Sequence, residues 1–215
     1  MMSPFEAFDR DLSGEERAIV NGLTGPAGVQ AFLDSIPYST DEFYRCPLRV
    51  LRDRTAHCFD GAVFAAAMLQ RIGYPPLILD MLSNGRDDEH LLALFKDRGC
   101  WGAVAKSNFV GLRFREPVYR TIRELVMSYF EQYYNLEREK TLRGYTGPLN
   151  LRRFDRLNWM TADETMDLIA RRTEETRRVM LIDAEMEQRL SPVDERSYQA
   201  GLTGADPNGI YKVRP

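Results

Sequence analysis

The stretch that decides the fold of this chain is Thr55-Ala56-His57-Cys58-Phe59-Asp60-Gly61-Ala62-Val63-Phe64-Ala65-Ala66-Ala67-Met68-Leu69-Gln70-Arg71-Ile72-Gly73. Counted from Cys58, small or apolar residues stand at offsets four, seven, eight and eleven. This spacing predicts a helix with one face packed against the rest of the protein. Thr55 is the predicted N-cap and Gly73 the predicted stop. The pattern therefore places Cys58 in the first turn of a buried helix.

A cysteine at the start of a helix can act as a nucleophile. The unpaired N–H groups and the positive end of the helix dipole favour the thiolate, which is the form that attacks carbonyl carbon. Cys58 is thus the candidate nucleophile. The competing interpretation is a structural thiol, because a free cysteine commonly behaves as a small buried hydrophobe.

Composition excludes several classes of protein. The chain has 44% hydrophobic and 28% charged residues, as ordinary globular proteins do, and a net charge of −3 with no basic arm. We therefore expect no nucleic-acid partner. No run is apolar enough for a signal peptide at Met1 to Arg10 or for a membrane span elsewhere.

The cysteines and histidines give a further indication. Three cysteines are an odd number for a disulfide framework, and the two histidines and three cysteines lack zinc-site spacing. We expect a cytoplasmic protein without a metal or another cofactor.

Three predicted strands follow the helix. They are Leu77 to Leu82, His90 to Lys96 and Cys100 to Ala105, separated by short turns that favour an antiparallel meander. His90 begins the second strand, and Asn108 follows the end of the third. Because neighbouring antiparallel strands run in opposite directions, these two residues are expected near each other.

A cysteine and a histidine placed in this way could form a catalytic site. The imidazole of His90 would take the thiol proton and later return it to the leaving group, while Asn108 would orient the ring. His90 could instead be a structural histidine. His57 is the competing base, but adjacent helical positions point in different directions, which argues against it.

Outside this core the pattern predicts mainly helices. Ser13 opens a short helix with a capping box, and a second helix runs from Ala27 to about Ser35. The breaker-rich stretch from Ile36 to Leu48 is expected to be irregular, with aromatic residues that either line a pocket or anchor the loop. Longer helices are predicted from Val118 to about Tyr134 and from Thr161 to Leu190. The apolar stripe of the last helix weakens at 174–178, which indicates partial exposure or contact with a partner or a second copy of the chain.

The order of these motifs resembles the transglutaminase-like superfamily. The resemblance covers about Leu51 to Asn108 and is carried by the cysteine helix, Gly73-Tyr74-Pro75-Pro76, Asp87-Asp88-Glu89-His90 and Gly99-Cys100-Trp101. It implies an α+β fold with a papain-like core, in which the cysteine helix packs on an antiparallel sheet and further helices lie at both termini. It also implies that Cys58 is the nucleophile and His90 the base. The third catalytic position falls near Ala105, and Asn108 is the nearest residue with a suitable acceptor.

Two function classes follow from this sequence. The first is a cysteine-dependent hydrolase or acyltransferase that cleaves an amide of a peptide or small molecule through a thioester. The second is a catalytically idle relative that binds a peptide or protein. This hypothesis is favoured by alanine at position 105, because alanine cannot serve as the third catalytic residue. The predicted domains are a core at 1–150 and a helical C-terminal extension at 151–215, packed on the same domain. No membrane partner is expected, and a homodimer or partner contact would use helix 161–190.

Overall fold

The computed structural model describes residues 4–211, so predictions for the first three residues and for 212–215 lie outside it. Its α-helices are α1 (Pro4–Asp11), α2 (Gly14–Gly22), α3 (Pro26–Ser35), α4 (Pro47–Asp53), α5 (Cys58–Arg71), α6 (Ile122–Met127), α7 (Met166–Glu174), α8 (Ala184–Gln188) and α9 (Glu195–Gly201). Its strands are β1 (Leu77–Leu82), β2 (His90–Asp97), β3 (Cys100–Val104), β4 (Arg115–Tyr119), β5 (Gly144–Thr146), β6 (Leu149–Asn150) and β7 (Arg178–Met180). Short 3-10 segments connect several of these elements.

The strands form one antiparallel sheet in the order β4-β3-β2-β1-β5-β7, with β6 also paired to β1. The predicted meander is confirmed, because β1 pairs with β2 and β2 with β3 at the expected positions. In the β1–β2 register, Met81 lies opposite His90 and Asp80 opposite Leu91. The start of β2 is thereby fixed beside the end of β1.

Side chains cover both faces of the sheet. Leu91, Ala93 and Phe95 of β2 belong to the core that contains the buried face of α5, whereas Leu92 and Leu94 face a second core. This alternation is the period of two expected for a strand buried on both faces. The molecule is an α+β fold with the cysteine helix packed on an antiparallel sheet, as predicted.

One glycine allows α5 to approach the chain that follows β3. A Cβ atom added to Gly61 would lie only 2.3 Å from the Cβ of Lys106. Lys106 is itself buried and donates a hydrogen bond of 2.7 Å from Nζ to the carbonyl of Leu33. The close approach brings the first turn of α5 beside residues 106–108.

Two of the four N-terminal helices, α2 and α3, agree with the sequence pattern, whereas α1 and α4 were not predicted. The hydroxyl of Ser13 caps α2 and Glu16 completes the capping box, and α3 occupies the predicted range. The segment expected to be irregular contains helix α4, with Pro47 at its first position. Proline there is a helix-start signal, because its missing N–H would be unpaired anyway.

The helix predicted from Val118 to Tyr134 is wrong. Pro117 lies inside β4, which pairs with β3 at the edge of the sheet, where a residue without an N–H is tolerated. The helix that follows, α6, is only six residues long and is capped by Thr121.

The helix predicted from Thr161 to Leu190 is also wrong. The segment contains a 3-10 turn, helix α7, strand β7 and helix α8. The break falls at 174–178, where the apolar stripe weakens, and β7 pairs there with β5. The predicted partner or homodimer contact of residues 161–190 stays a prediction, but it would involve several short elements rather than one helix.

The C-terminal part of the chain shares the core of the N-terminal part. Trp159, Met166 and Ile169 lie in the same buried cluster as α5. Within residues 4–211, no helix is both long enough and apolar enough to cross a membrane.

Candidate active site

Cys58 is the first residue of α5, and its side chain is buried. The N-cap is His57 rather than the predicted Thr55, with extended backbone angles of φ −78° and ψ 173°. Asp60, the third helical residue, accepts a hydrogen bond of 3.0 Å from the backbone N–H of His57. This bond fixes the angle at which the chain enters the helix.

A buried ion pair supports this helix start from the other side. The fully buried carboxylate of Asp60 also accepts a 2.8 Å hydrogen bond from the backbone N–H of Arg45. The Arg45 guanidinium lies 3.7 Å from Asp60 and also pairs with Asp41 and Asp53. Burial raises the pKa of Asp60 despite the bonds that favour its charged form. The sequence signal for this role was an aspartate three residues after the N-cap.

Replacing Asp60 should destabilise the protein. Asp60→Ala leaves two backbone N–H groups, of Arg45 and His57, without their acceptor and removes one of the three carboxylates around Arg45, so we expect the free energy of unfolding to fall by about 2 to 5 kcal/mol. The measurement is urea unfolding. The matched control is Asp53→Ala, which removes a more exposed partner of Arg45 and should cost about 1 kcal/mol or less. Equal losses in both variants would contradict the role of Asp60.

His57 lies against the thiol, contrary to the prediction from helix geometry. Its Nδ1 atom is 3.4 Å from Sγ of Cys58. The prediction failed because it gave His57 helical backbone angles, whereas the N-cap has extended angles that turn its side chain back over the first turn. The ring of Tyr38, with its centroid 5.4 Å from that of His57, packs beside the imidazole.

His90 reaches the same sulfur from the sheet. Its ring is buried at the start of β2, and Nε2 lies 2.8 Å from the carbonyl oxygen of Leu112. A carbonyl only accepts hydrogen bonds, so Nε2 carries a proton and Nδ1 of the neutral ring has the free lone pair. His90 therefore has the tautomer that can take a proton from a neighbouring thiol.

The two imidazoles make Cys58 acidic. Burial alone would raise the pKa of this thiol, but the charge and hydrogen bond of His57, with a smaller contribution from His90, hold it well below its usual value. In turn the Cys58 thiolate, more than any other group, raises the pKa of His57 to about 9. The favoured state near neutral pH is a thiolate beside an imidazolium.

Tyr38 adds a third polar group at the sulfur. Its backbone is held beside the helix start by a hydrogen bond of 3.0 Å from the N–H of Ser39 to the carbonyl of Ala56. Burial, followed by the nearby Cys58 thiolate, raises the pKa of Tyr38 well above its usual value, so its hydroxyl keeps its proton. The aromatic residues between Ile36 and Leu48 were expected either to line a pocket or to anchor the loop, and Tyr38 lines the pocket at Cys58.

Asn108 lies near the site, but its carboxamide is bound elsewhere. Nδ2 donates to the carbonyl of Asp206 and Oδ1 accepts from its N–H, both at 2.8 Å. The structure thus places His90 beside Cys58. The second ring nitrogen of His90, Nε2, contacts the carbonyl of Leu112 rather than Asn108. The orienting role of Asn108 stays a prediction. Ala105 stands near the position at which the superfamily that the sequence resembles has its third catalytic residue, and it is fully buried.

The variant Asn108→Ala tests whether Asn108 or the carbonyl of Leu112 orients the ring of His90. If the Leu112 carbonyl orients His90, we expect the rate of Cys58 alkylation to change by less than about twofold, while amides at 206–211 exchange hydrogen faster because their anchor is lost. The measurements are mass spectrometry of the alkylated protein and hydrogen exchange. A fall in the alkylation rate of about tenfold or more would assign the orienting role to Asn108 instead.

Two cavities meet at Cys58. The smaller, of about 40 Å³, is lined by Tyr38, His90, Asn108 and Tyr211 among others, so the segment after Asp206 forms one wall. The larger, of about 220 Å³, opens on the other side, between β1, β2 and α7. Among residues 4–211, no three His, Cys, Asp or Glu side chains are grouped closely enough to hold a metal ion.

No protein-family model and no curated protein sequence matches this chain. Among solved structures, Legionella pneumophila LapG is similar at 15% identity and a TM-score of 0.37, over 49% of this chain and 74% of LapG. A second structure, of EGTA-treated Legionella pneumophila LapG, gives 15% identity and a TM-score of 0.36, over 50% of this chain and 71% of that one. Both similarities are too low to transfer an activity to this chain.

Proposed function

We propose that the chain is a cysteine-dependent hydrolase or acyltransferase of the transglutaminase-like superfamily, acting on an amide through a thioester. The observation that carries the proposal is the contact of one buried sulfur with two imidazoles at the start of α5. A thiolate beside an imidazolium is both a nucleophile and a proton donor for the leaving group. The sequence resemblance points to the same chemistry.

The first half of the reaction forms the thioester. The Cys58 thiolate attacks the carbonyl carbon, a C–S bond forms, and the electron pair of the C=O bond moves onto oxygen. The backbone N–H of Cys58, at the first position of the helix, has no acceptor within α5 and can donate to this oxyanion. When the C–N bond breaks, the amine leaves with the proton of the His57 imidazolium, which no longer has a thiolate beside it.

The second half releases the acyl group. Nδ1 of neutral His90 takes a proton from water or from an amine, which attacks the thioester carbonyl. The C–S bond breaks, its electron pair returns to Cys58 as thiolate, and the proton gained by His90 passes by way of the sulfur to His57, which restores the starting pair. With water the product is an acid, and with an amine it is a new amide.

The test uses p-nitrophenyl acetate, an activated acyl donor that needs no substrate recognition. We expect a burst of about one p-nitrophenolate per chain and an acetyl group on Cys58 in peptide mass spectra. Cys58→Ser should abolish the burst, whereas the control Cys100→Ser should keep it. Equal release from wild type and Cys58→Ser would refute the proposal and favour the second hypothesis, an idle fold that binds a peptide or protein.

A further inference from the structure

The segment that follows α9 crosses the cleft beside Cys58. Residues 203–206 line a surface cavity of about 430 Å³, and Gly209 and Tyr211 line the cavity of about 40 Å³ next to the Cys58 sulfur. The two cavities share four wall residues: Tyr38, Ser107, Asn108 and Phe109. They are therefore parts of one groove, and residues 203–211, which we call the strap, lie across it.

Two hydrogen bonds hold the strap. The carboxamide of Asn108 donates to the backbone carbonyl of Asp206 and accepts from its N–H, both at 2.8 Å. Among residues 4–211, these are the only hydrogen bonds that join 206–211 to another part of the chain. Hydrogen bonds between uncharged groups add little net stability, because water replaces them when they break. The strap can therefore detach without unfolding the rest of the protein.

One position of the strap has no space for a side chain. A Cβ atom added to Gly209 would lie 2.8 Å from Cδ1 of Tyr38 and 3.1 Å from Nδ2 of Asn108. The backbone of Gly209 thus packs directly on the ring that lines the pocket at Cys58. A larger residue at this position would force the strap away from the groove.

The helix before the strap is fixed to the body of the protein. The hydroxyl of Tyr134 donates a hydrogen bond of 2.9 Å to the carbonyl of Ser197, and a Cβ atom added to Gly201 would lie 1.8 Å from the same hydroxyl. Gly204 then turns the chain at φ +74°, a conformation that glycine adopts without strain. Helix α9 can therefore stay in place when the strap beyond Gly204 leaves the groove.

The cavity under the strap has little room. Its volume of about 40 Å³ holds about three water molecules, at roughly 10 to 15 Å³ for each. The cavity on the other side of Cys58 has about 220 Å³. An amide substrate extends on both sides of its carbonyl carbon, so one side of a long substrate needs the space that the strap occupies. A reactant without long arms meets no such obstacle.

We propose that residues 203–211 are an autoinhibitory strap. Held by Asn108, the strap closes the groove to reactants that extend on both sides of Cys58, and it detaches before such a reactant binds. The inference rests on the proposed function, because it concerns access to the proposed nucleophile. It leaves the chemistry of the thiolate and the imidazoles unchanged.

The first experiment compares two epoxides that alkylate a thiolate. Epoxysuccinamide has no arms, whereas its derivative with a glycylglycinamide arm on each side extends in both directions from the reacting carbons. In Gly209→Val, the ratio of the two-armed rate to the armless rate at Cys58 should rise at least about tenfold, because a strap that is open less than about 10% of the time limits only the two-armed reagent. Asn108→Ala removes both hydrogen bonds of the strap and should raise the ratio in the same way.

The matched control is Asn208→Val. It places the same side chain one residue earlier, at an exposed position, and should leave the ratio unchanged. Amides at 205–211 should exchange hydrogen faster in Gly209→Val and Asn108→Ala than in this control. If neither Gly209→Val nor Asn108→Ala raises the ratio, the inference is overturned.

A second experiment needs no reactive thiol at position 58. In a Cys58→Ser background, Ser107→Cys places a reporter thiol on the wall that both cavities share. The ratio of its labelling rates with fluorescein-5-maleimide and N-methylmaleimide, read by mass spectrometry, should rise at least about tenfold with Gly209→Val and stay constant with Asn208→Val. Equal ratios in all three chains would overturn the strap even if Cys58 is catalytic. If the reporter responds but wild-type Cys58 reacts no faster than Cys100 with the armless epoxide, the proposed function fails and the strap stands.

Discussion

The variant His90→Gln is expected to keep the burst of p-nitrophenolate but to slow the steady release that follows by about a thousandfold, the scale of general base catalysis. The glutamine amide can still donate to the Leu112 carbonyl, which His90 Nε2 contacts at 2.8 Å. It cannot take a proton from water. The acyl group should therefore remain on Cys58, where mass spectrometry of the intact protein would detect it.

This variant retains the burst because p-nitrophenolate needs no proton to leave and because His57 still stabilises the thiolate. The control is thermal unfolding, which should show a midpoint within a few degrees of wild type if packing at β2 is preserved. Steady release at the wild-type rate would show that His90 is not the base.

The variant His57→Asn should raise the pKa of Cys58. His57 supplies the largest of the effects that lower it, and asparagine is a good N-cap, so the helix start should keep its stability. At pH 6 the thiolate fraction, and with it the rate of alkylation by iodoacetamide, should fall by about tenfold or more, because each unit of pKa changes that fraction tenfold.

The direction of the pH effect follows from the sign of the shift. A lowered pKa makes the thiolate available below the ordinary thiol range, so wild type and His57→Asn should differ most at low pH. Their rates should converge only once the pH exceeds the pKa of the variant's thiol, which burial raises. Identical profiles at all pH values would show that His57 does not hold the thiolate.

Cys46 shows that a helix start alone does not make a thiol acidic. It is the N-cap of α4, yet burial raises its pKa to about 12. Its neighbour is the carboxylate of Asp163, which accepts a 2.8 Å hydrogen bond from its backbone N–H. Burial raises the pKa of both thiols. At Cys46 the Asp163 carboxylate adds to that rise, whereas at Cys58 the two imidazoles overcome it. The helix dipole alone therefore does not explain the lowered pKa of Cys58.

Local patterns predicted the centre of the fold well. Helix α5 and strands β1, β2 and β3 lie where periodicity and turn residues placed them, because each of these elements is buried along most of its length. The pattern failed where partners distant in sequence decide the structure. Val179 is part of β7 because that segment pairs with the edge of β5. Pro117 is part of β4 because that segment pairs with the edge of β3.

The site was predictable to the extent that its groups lie on those central elements. Cys58 and His90 were identified from a helix start and a strand start. The roles of the Leu112 carbonyl and of Tyr38 could not be read from sequence, because a backbone oxygen has no residue signature and Tyr38 is placed by the pairing of residues 38 and 56. His57 was misjudged because a shift of the N-cap by two residues changes the direction of its side chain.

The central claim is that Cys58 is a thiolate held by imidazoles, and the most direct measurement is the pH dependence of iodoacetamide alkylation at each cysteine of the native protein. We predict that the rate at Cys58 is already close to its plateau at pH 7, whereas Cys46 stays unreactive up to pH 9 because its pKa is about 12. A Cys58 rate that instead climbs about tenfold per pH unit to a midpoint near 8.5, the value of an ordinary thiol, would contradict the claim.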